Sequence, residues 1–180
     1  MNKLLAASLL FSIGDELRNG HPEGGAWTVG SQKLLAVGLF SGAVMAGAYL
    51  VVSSLFAPPE ITLGPLAEMA VTPGKPQLMW IILSVLIAPF IEELLFRGVI
   101  FGGLCRFWGV LWAAIVSTAV FVLLHITEMI HFWPSAIFIT AMALTALCLR
   151  LKAEAIGPAV AVHFAYNGIL VIAVTISTLS

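Results

Sequence analysis

The chain has 180 residues, of which 61% are hydrophobic and only 9% are charged, and its mean hydropathy is +1.08. This composition excludes an ordinary soluble domain and indicates a membrane protein. The net charge of -1 also excludes the broad basic surface that nucleic acid requires, so we expect the lipid bilayer and membrane-associated molecules as partners, and no nucleic acid.

The first apolar segment, residues 4–13, resembles the start of a signal peptide, but no small-residue cleavage site follows it before Asp15 and Glu16. We interpret it as a short or truncated first span. A second apolar segment, residues 34–56, is long enough to cross a bilayer, which takes about 20 residues.

Small residues recur at four-residue intervals in this second segment, at Gly38, Gly42 and Ala46. Such a stripe lets another helix approach closely, although glycine is also simply common in membrane helices. The polar, proline-rich residues 58–76 then predict a loop or an interfacial helix, which is placed to cover a site.

Residues 77–91 form the next predicted helix, which runs into Pro89 and then into a charged motif. Proline is expected to kink this helix or to begin a new one. Glu92 and Glu93 would then lie in the first turn after the break, where the helix dipole favours negative charge.

Three further apolar spans are predicted at residues 110–126, 135–149 and 156–179. We therefore predict an all-α, polytopic membrane protein with about five to six transmembrane helices and a kinked motif helix. Residues 1–76 are expected to form N-terminal membrane segments and an interfacial loop, and residues 77–180 a helical core that contains the charged motif, within a single membrane domain.

Basic residues predict the orientation of the chain. If the connecting loops alternate between the two sides, one side carries five basic residues and the other carries two, so the first side is predicted to be cytoplasmic. The first set is Arg18, Lys33, Arg106, Arg150 and Lys152, and the second is Lys3 and Lys75.

Two carboxylates and a guanidinium lie within the apolar run, at Glu92, Glu93 and Arg97. Ionisable groups at membrane depth are costly, so a functional site is the default hypothesis. Positions four apart share a helix face, so Glu93 and Arg97 can pair, whereas Glu92 points roughly 100° away and is left available. The alternative is a buried charge cluster that only holds helices together.

Two more polar pairs lie four residues apart, Phe121 with His125 and His163 with Asn167. Buried imidazoles need partners, and a carboxylate of the charged motif is the obvious one. Glu92, with His125, could activate a water for amide hydrolysis, while His163 and Asn167 could donate hydrogen bonds to the oxyanion.

Direct attack by water is favoured over a covalent route, because no serine or cysteine is paired with a base in a recognisable motif. Zinc bound by His125, His163 and Glu92 is the alternative. The chain contains no His-Glu-x-x-His motif, so we expect no metal cofactor.

The three motifs, in this order and on successive spans, resemble those of the CPBP (CAAX protease and bacteriocin-processing, Abi) family of intramembrane proteases. The resemblance covers about residues 80–170 and implies an all-helical core whose motif residues converge on a cavity. Family members have been regarded both as metalloproteases and as metal-independent glutamate-type proteases. By the resemblance, the catalytic set is Glu92, Glu93, His125, His163 and Asn167, supported by Arg97 and Phe121.

The leading hypothesis is an intramembrane endopeptidase that cuts a membrane-associated peptide or protein, in the inner membrane of a bacterial or archaeal cell. The chain is shorter than the larger prenyl endopeptidases, which argues against prenylated substrates. The alternatives are a non-catalytic scaffold of the same fold, such as a bacteriocin immunity factor, and a transporter. A scaffold would not require the complete motif set, and the inverted repeats typical of transporters are not visible.

Overall fold

Helices make up the whole of the described architecture. The computed structural model describes residues 28–56 and 65–179, and no strand occurs in these ranges. The predicted first segment, residues 4–13, lies outside them. The helices are α1 (Gln32–Ser53), α2 (Pro65–Val71), α3 (Lys75–Ile81), α4 (Ala88–Glu93), α5 (Phe101–Leu124), α6 (Ile126–His131), α7 (Pro134–Ala153) and α8 (Gly157–Leu179).

Four helical stretches in the described ranges are long and apolar enough to cross a membrane, which confirms a polytopic all-α membrane protein. One of them is a continuous run of 50 residues, because π-helical turns join α3, α4 and α5. The four stretches are Gln32–Ser53, Lys75–Leu124, Pro134–Ala153 and Gly157–Ser177.

The 50-residue run folds back on itself at Gly109, whose φ of 72° and ψ of 170° are not helical. Glycine adopts positive φ without a steric penalty, so it allows this sharp turn. The helical segment after Gly109 packs back along the segment before it and brings Phe121 against Phe96. The span predicted to begin at residue 110 is therefore a separate helical segment.

Pro89 does not begin a new helix, which was one of the two expected outcomes, the other being a kink. A π-helical stretch, Ile82–Ile87, precedes it, and the chain continues as α4 with helical backbone angles. The wider turn accommodates a residue that lacks an N–H donor. The prediction that Glu92 and Glu93 lie in the first turn of a new helix is therefore wrong, because both lie inside a continuous helical run.

The small-residue stripe of α1 packs against α8, as the four-residue spacing predicted. Gly38, Gly42 and Ala46 are the buried residues of α1. A Cβ atom on Gly38 would lie 2.6 Å from the carbonyl oxygen of Pro158, and one on Gly42 would overlap the carbonyl oxygen of Val162. The two backbones therefore approach as closely as glycine alone allows.

The helices α1 and α8 run in the same direction, since Gly38 faces Pro158 and Gly42 faces Val162. The helix α7 runs opposite to both, and its first turn reaches the last turns of α1, where the Tyr49 hydroxyl lies 3.3 Å from Ser135 Oγ. These three helices form one wall of the molecule, and the helix that carries Glu92 and Glu93 closes the other side against α8, while α5 packs against α7.

The short helix α2 falls within the proline-rich segment for which either a loop or an interfacial helix was expected. The side chain of Gln77 in α3 ties α2 in place, because its amide nitrogen donates to the carbonyl oxygen of Ala70 at 2.9 Å. The described part of this segment, from Pro65 onward, is therefore helical and packs against α3 and α8.

Candidate functional site

The most deeply buried ion pair in the described chain is the one that the helical spacing predicted. Arg97 Nη1 lies 3.2 Å from Glu93 Oε1, and the two side chains are 1% and 0% exposed. A second guanidinium nitrogen, Nη2, donates to the carbonyl oxygen of Ala143 in α7 at 2.9 Å. The pair thus fixes the motif helix to α7 and uses charge-assisted hydrogen bonds to offset the cost of burial.

Glu93 also holds His163 of α8. Its Oε1 atom accepts a hydrogen bond from His163 Nδ1 at 3.0 Å. Because a carboxylate has no proton to donate, Nδ1 must carry the hydrogen and Nε2 is the nitrogen directed at other groups. Glu93 therefore sets both the orientation of His163 and its proton position.

Phe121 lies at the centre of the cluster and is fully buried. The guanidinium carbon of Arg97 lies 4.3 Å from the centre of its ring, a cation–π contact. The imidazoles of His125 and His163 contact the same ring, at centroid distances of 4.7 Å and 5.9 Å. One phenylalanine thus positions both histidines and the arginine.

Glu92 occupies a different environment from its neighbour. Its side chain is 29% exposed, and its Oε2 atom lies 3.9 Å from His125 Nε2 and 3.8 Å from His163 Nε2. Within the described residues this oxygen is buried and has no direct hydrogen-bond partner. A polar contact of this length is long enough for a water molecule to bridge, so the three atoms frame a water-sized site.

The backbone orients the second imidazole. His125 follows the last residue of α5, and its Nδ1 atom lies 3.0 Å from the carbonyl oxygen of Phe121. A carbonyl oxygen only accepts, so Nδ1 is again the protonated nitrogen in the neutral ring. Both histidines therefore direct Nε2 toward the Oε2 atom of Glu92.

Asn167 is positioned by the disruption that Pro89 causes. The N–H of Ala88 donates to Leu83, and Pro89 has no N–H, so the carbonyl oxygen of Ser84 loses both of its usual helical donors. Asn167 Nδ2 donates to this oxygen at 2.9 Å. One hydrogen of the amide group is used in this way, and the second is left for other partners.

The polar side chains Glu92, His125, His163 and Asn167 line one cavity of about 240 Å³, which is the convergence that the family resemblance implied. Glu93, Arg97 and Phe121 lie behind this surface and hold it in place. The full lining is Tyr49, Glu92, His125, Glu128, Ser135, Ile139, Met142, His163, Tyr166, Asn167 and Leu170.

Sequence reasoning did not select Tyr49, Ser135 or the carbonyl oxygen of Ser84 as parts of the site. Tyr49 comes from α1, more than 40 positions before the charged motif, and no spacing rule links the two. A polar aromatic residue within an apolar span was the only available signal, and tyrosine is common enough near membrane surfaces to conceal it.

In the part of the chain that the structure describes, no group of three His, Cys, Asp or Glu side chains has the geometry to hold a metal ion. The group that comes closest to such a geometry is Glu92 with His125 and His163. Carboxylate and imidazole ligands suit zinc, but Glu92 Oε2 lies 3.9 Å and 3.8 Å from the Nε2 atoms of His125 and His163. The absence of a metal cofactor therefore stays a prediction.

The fold and the site together define a polytopic all-α membrane protein that gathers carboxylate, imidazole and amide groups around an internal cavity. A family model described as type II CAAX prenyl endopeptidase Rce1-like matches residues 74–169, which is just over half of the chain and includes all seven motif residues. The chain belongs to this family, which is a protease family. Searches of curated proteins and of solved structures found no match.

Proposed function

We propose that the protein is an intramembrane endopeptidase that hydrolyses a peptide bond of a membrane-associated peptide or protein, in the inner membrane of a bacterial or archaeal cell. The observation that carries the proposal is the position of Glu92 Oε2, which faces two imidazole Nε2 atoms at 3.8 Å and 3.9 Å on the wall of a cavity. Membership of a protease family supports it.

In the proposed reaction Glu92 takes a proton from a water held between its carboxylate and His125. The resulting hydroxide attacks the carbonyl carbon of the scissile bond, and the electron pair of the C=O bond moves to oxygen. The remaining N–H of Asn167 and a protonated His163 donate hydrogen bonds to that oxyanion. The intermediate then collapses, the C–N bond breaks, and Glu92 returns its proton to the leaving amine.

Glu93 supports this scheme without contacting the substrate. Its Oε1 atom accepts from His163 Nδ1 at 3.0 Å and so leaves Nε2 of this imidazole directed at the cavity. The same arrangement of carboxylate and histidine orients the imidazole in serine hydrolases. Glu93 is thus proposed as a member of the catalytic set that acts through His163.

The test is a comparison of Glu92→Gln with the wild type, purified in detergent and incubated with membrane-associated peptides. The amide fills the same volume but cannot accept the proton of water, so we expect cleavage to fall by about 10²–10⁴-fold at an unchanged melting temperature. Glu154→Gln removes the same charge at an exposed position at the end of α7 and is expected to keep the wild-type rate.

The proposal includes no metal, so cleavage should survive removal of tightly bound zinc. Stoichiometric zinc, with activity lost on stripping and restored on refilling, would instead assign Glu92, His125 and His163 as ligands. If the wild type cleaves no membrane-associated peptide faster than Glu92→Gln does, the non-catalytic scaffold or immunity factor becomes the better reading.

A further inference from the structure

The cavity has a second wall that the proposed reaction does not use. It consists of Tyr49 from α1, Ser135, Ile139 and Met142 from α7, and Tyr166 and Leu170 from α8. We infer that this wall is a specificity subsite, in which Tyr49 sets the size of the substrate side chain that is held beside the scissile bond. The inference rests on the proposed function for the identity of the ligand as a peptide.

Tyr49 is held rigidly, as a selective wall requires. Its ring makes edge-to-face contacts with Phe132, Phe138 and Tyr166, at centroid distances of 6.2 Å, 5.4 Å and 6.4 Å. Its hydroxyl group lies 3.3 Å from Ser135 Oγ. Rings packed in this way resist displacement, so a bulky substrate group has to fit the space that Tyr49 leaves.

The size of the cavity limits its occupant. Its volume is about 240 Å³, which is below the roughly 300–1,000 Å³ of pockets that hold drug-sized ligands. This size favours a side chain such as leucine or methionine over a long prenyl chain as the occupant of the subsite.

The charge of the lining further restricts which substrate side chains the subsite accepts. Glu128 is exposed at the mouth of the cavity and Glu92 lies inside it, while no lysine or arginine contributes to the lining. A negatively charged side chain would therefore be repelled by both carboxylates, and no lysine or arginine of the lining would pair with it. Tyr166, a residue that is 4% exposed, adds a hydroxyl-bearing ring to the lining.

Tyr49 is also outside the matched family region, residues 74–169. The reacting groups come from the shared core, whereas this wall residue comes from a helix that precedes it.

The test uses acylated, fluorescence-quenched peptides that are identical except for one residue next to the bond that is cut, which is Gly, Leu, Met, Phe, Trp or Asp. Cleavage of the peptides is measured with the wild-type protein. Their binding is measured with the Glu92→Gln variant, for which the same peptides compete. We expect Leu and Met to be preferred and Asp to be rejected in both measurements.

Tyr49→Ala should raise the preference for Phe and Trp over Leu by about tenfold or more, because a size difference of a few methylene groups in a pocket changes the preference between two substrates by about that factor. Leu170→Ala enlarges the same space from α8 and gives a second route if Tyr49→Ala folds poorly. Tyr49→Phe keeps the ring and should keep the wild-type size preference. Phe40→Ala, on the same helix but 72% exposed, should change nothing.

The two proposals can fail separately. If cleavage is absent but the binding preference shifts in Tyr49→Ala or Leu170→Ala, the hydrolase proposal falls and the subsite stands. If cleavage occurs with a preference that neither variant shifts, the subsite is overturned and the hydrolase stands. Neither cleavage nor a preference in binding would overturn both.

Discussion

The two adjacent glutamates show how one helical step separates two chemical roles. Glu93 is fully buried between a guanidinium and an imidazole, whereas Glu92 is 29% exposed and faces the cavity. Rotation by roughly 100° per residue is sufficient to place one carboxylate in the packed interior and the other on the cavity wall.

The burial of Glu93 and Arg97 leads to a prediction about stability. Glu93→Gln or Arg97→Ala leaves the opposite charge buried and unpaired, so each should destabilise the protein by about 3–5 kcal/mol. Melting temperatures in detergent, with Glu92→Gln as the matched control, measure the effect. A Glu93→Gln variant that melts like the wild type, while Glu92→Gln melts much earlier, would reverse the assigned roles.

Among the structural elements, α1 makes the closest helix contact in the described chain. A side chain at residue 42 of α1 would overlap the backbone of α8. This contact places the other end of α1, with Tyr49, against the cavity. The small-residue stripe therefore serves the site as well as the fold.

Two glycines of α1 provide a matched pair for testing this contact. Gly42→Ala should destabilise the protein by about 1–3 kcal/mol, because the new methyl group overlaps backbone that cannot move aside easily. Gly47→Ala places the same group in open space and should be neutral or slightly stabilising, since alanine favours helix. Equal melting temperatures for the two variants would show that α1 does not pack on α8 as described.

Pro89 illustrates how an irregular element can create a binding group. The π-helical stretch before it frees the carbonyl oxygen of Ser84, and that oxygen fixes Asn167. Such stretches are frequent at functional sites, and here the irregularity connects the motif helix to the last helix.

At the scale of the whole molecule, the cavity and four of the six described lysines and arginines lie toward opposite ends. The lining residues Tyr49, Ser135 and the exposed Glu128 lie near the end of α1 and the start of α7. The other end carries Lys33, Arg106, Arg150 and Lys152, and Gly157 N donates to Thr28 there at 3.2 Å. The excess of positive charge predicts that this second end is cytoplasmic.

The cavity is therefore predicted to open on the non-cytoplasmic face. The native cysteines, Cys105 and Cys148, are first replaced by alanine, and a single cysteine is then introduced by Glu128→Cys or Lys152→Cys. A membrane-impermeant maleimide applied to intact cells should label the first variant and not the second, with permeabilised cells as the control. Labelling of Lys152→Cys alone would mean that the cavity faces the cytoplasm.

The amino-acid sequence by itself determined the helical class, the close face of α1, the Glu93–Arg97 pair and the grouping of Glu92, His125, His163 and Asn167. Each of these follows from helical periodicity or from the cost of an unpaired polar group in an apolar medium. Both arguments need only residues that are close in sequence, or a rule that applies to every buried polar group.

Only the tertiary structure decided the rest. The continuous helix through Pro89, the use of the Ser84 carbonyl oxygen by Asn167, and the contribution of Tyr49 to the cavity all depend on contacts between positions far apart in the chain. Local propensity predicted either a kink or a new helix at Pro89, and the wider π-helical turn before it lets the helical run continue. Residues that meet only after the helices have packed leave no periodic signal in the sequence.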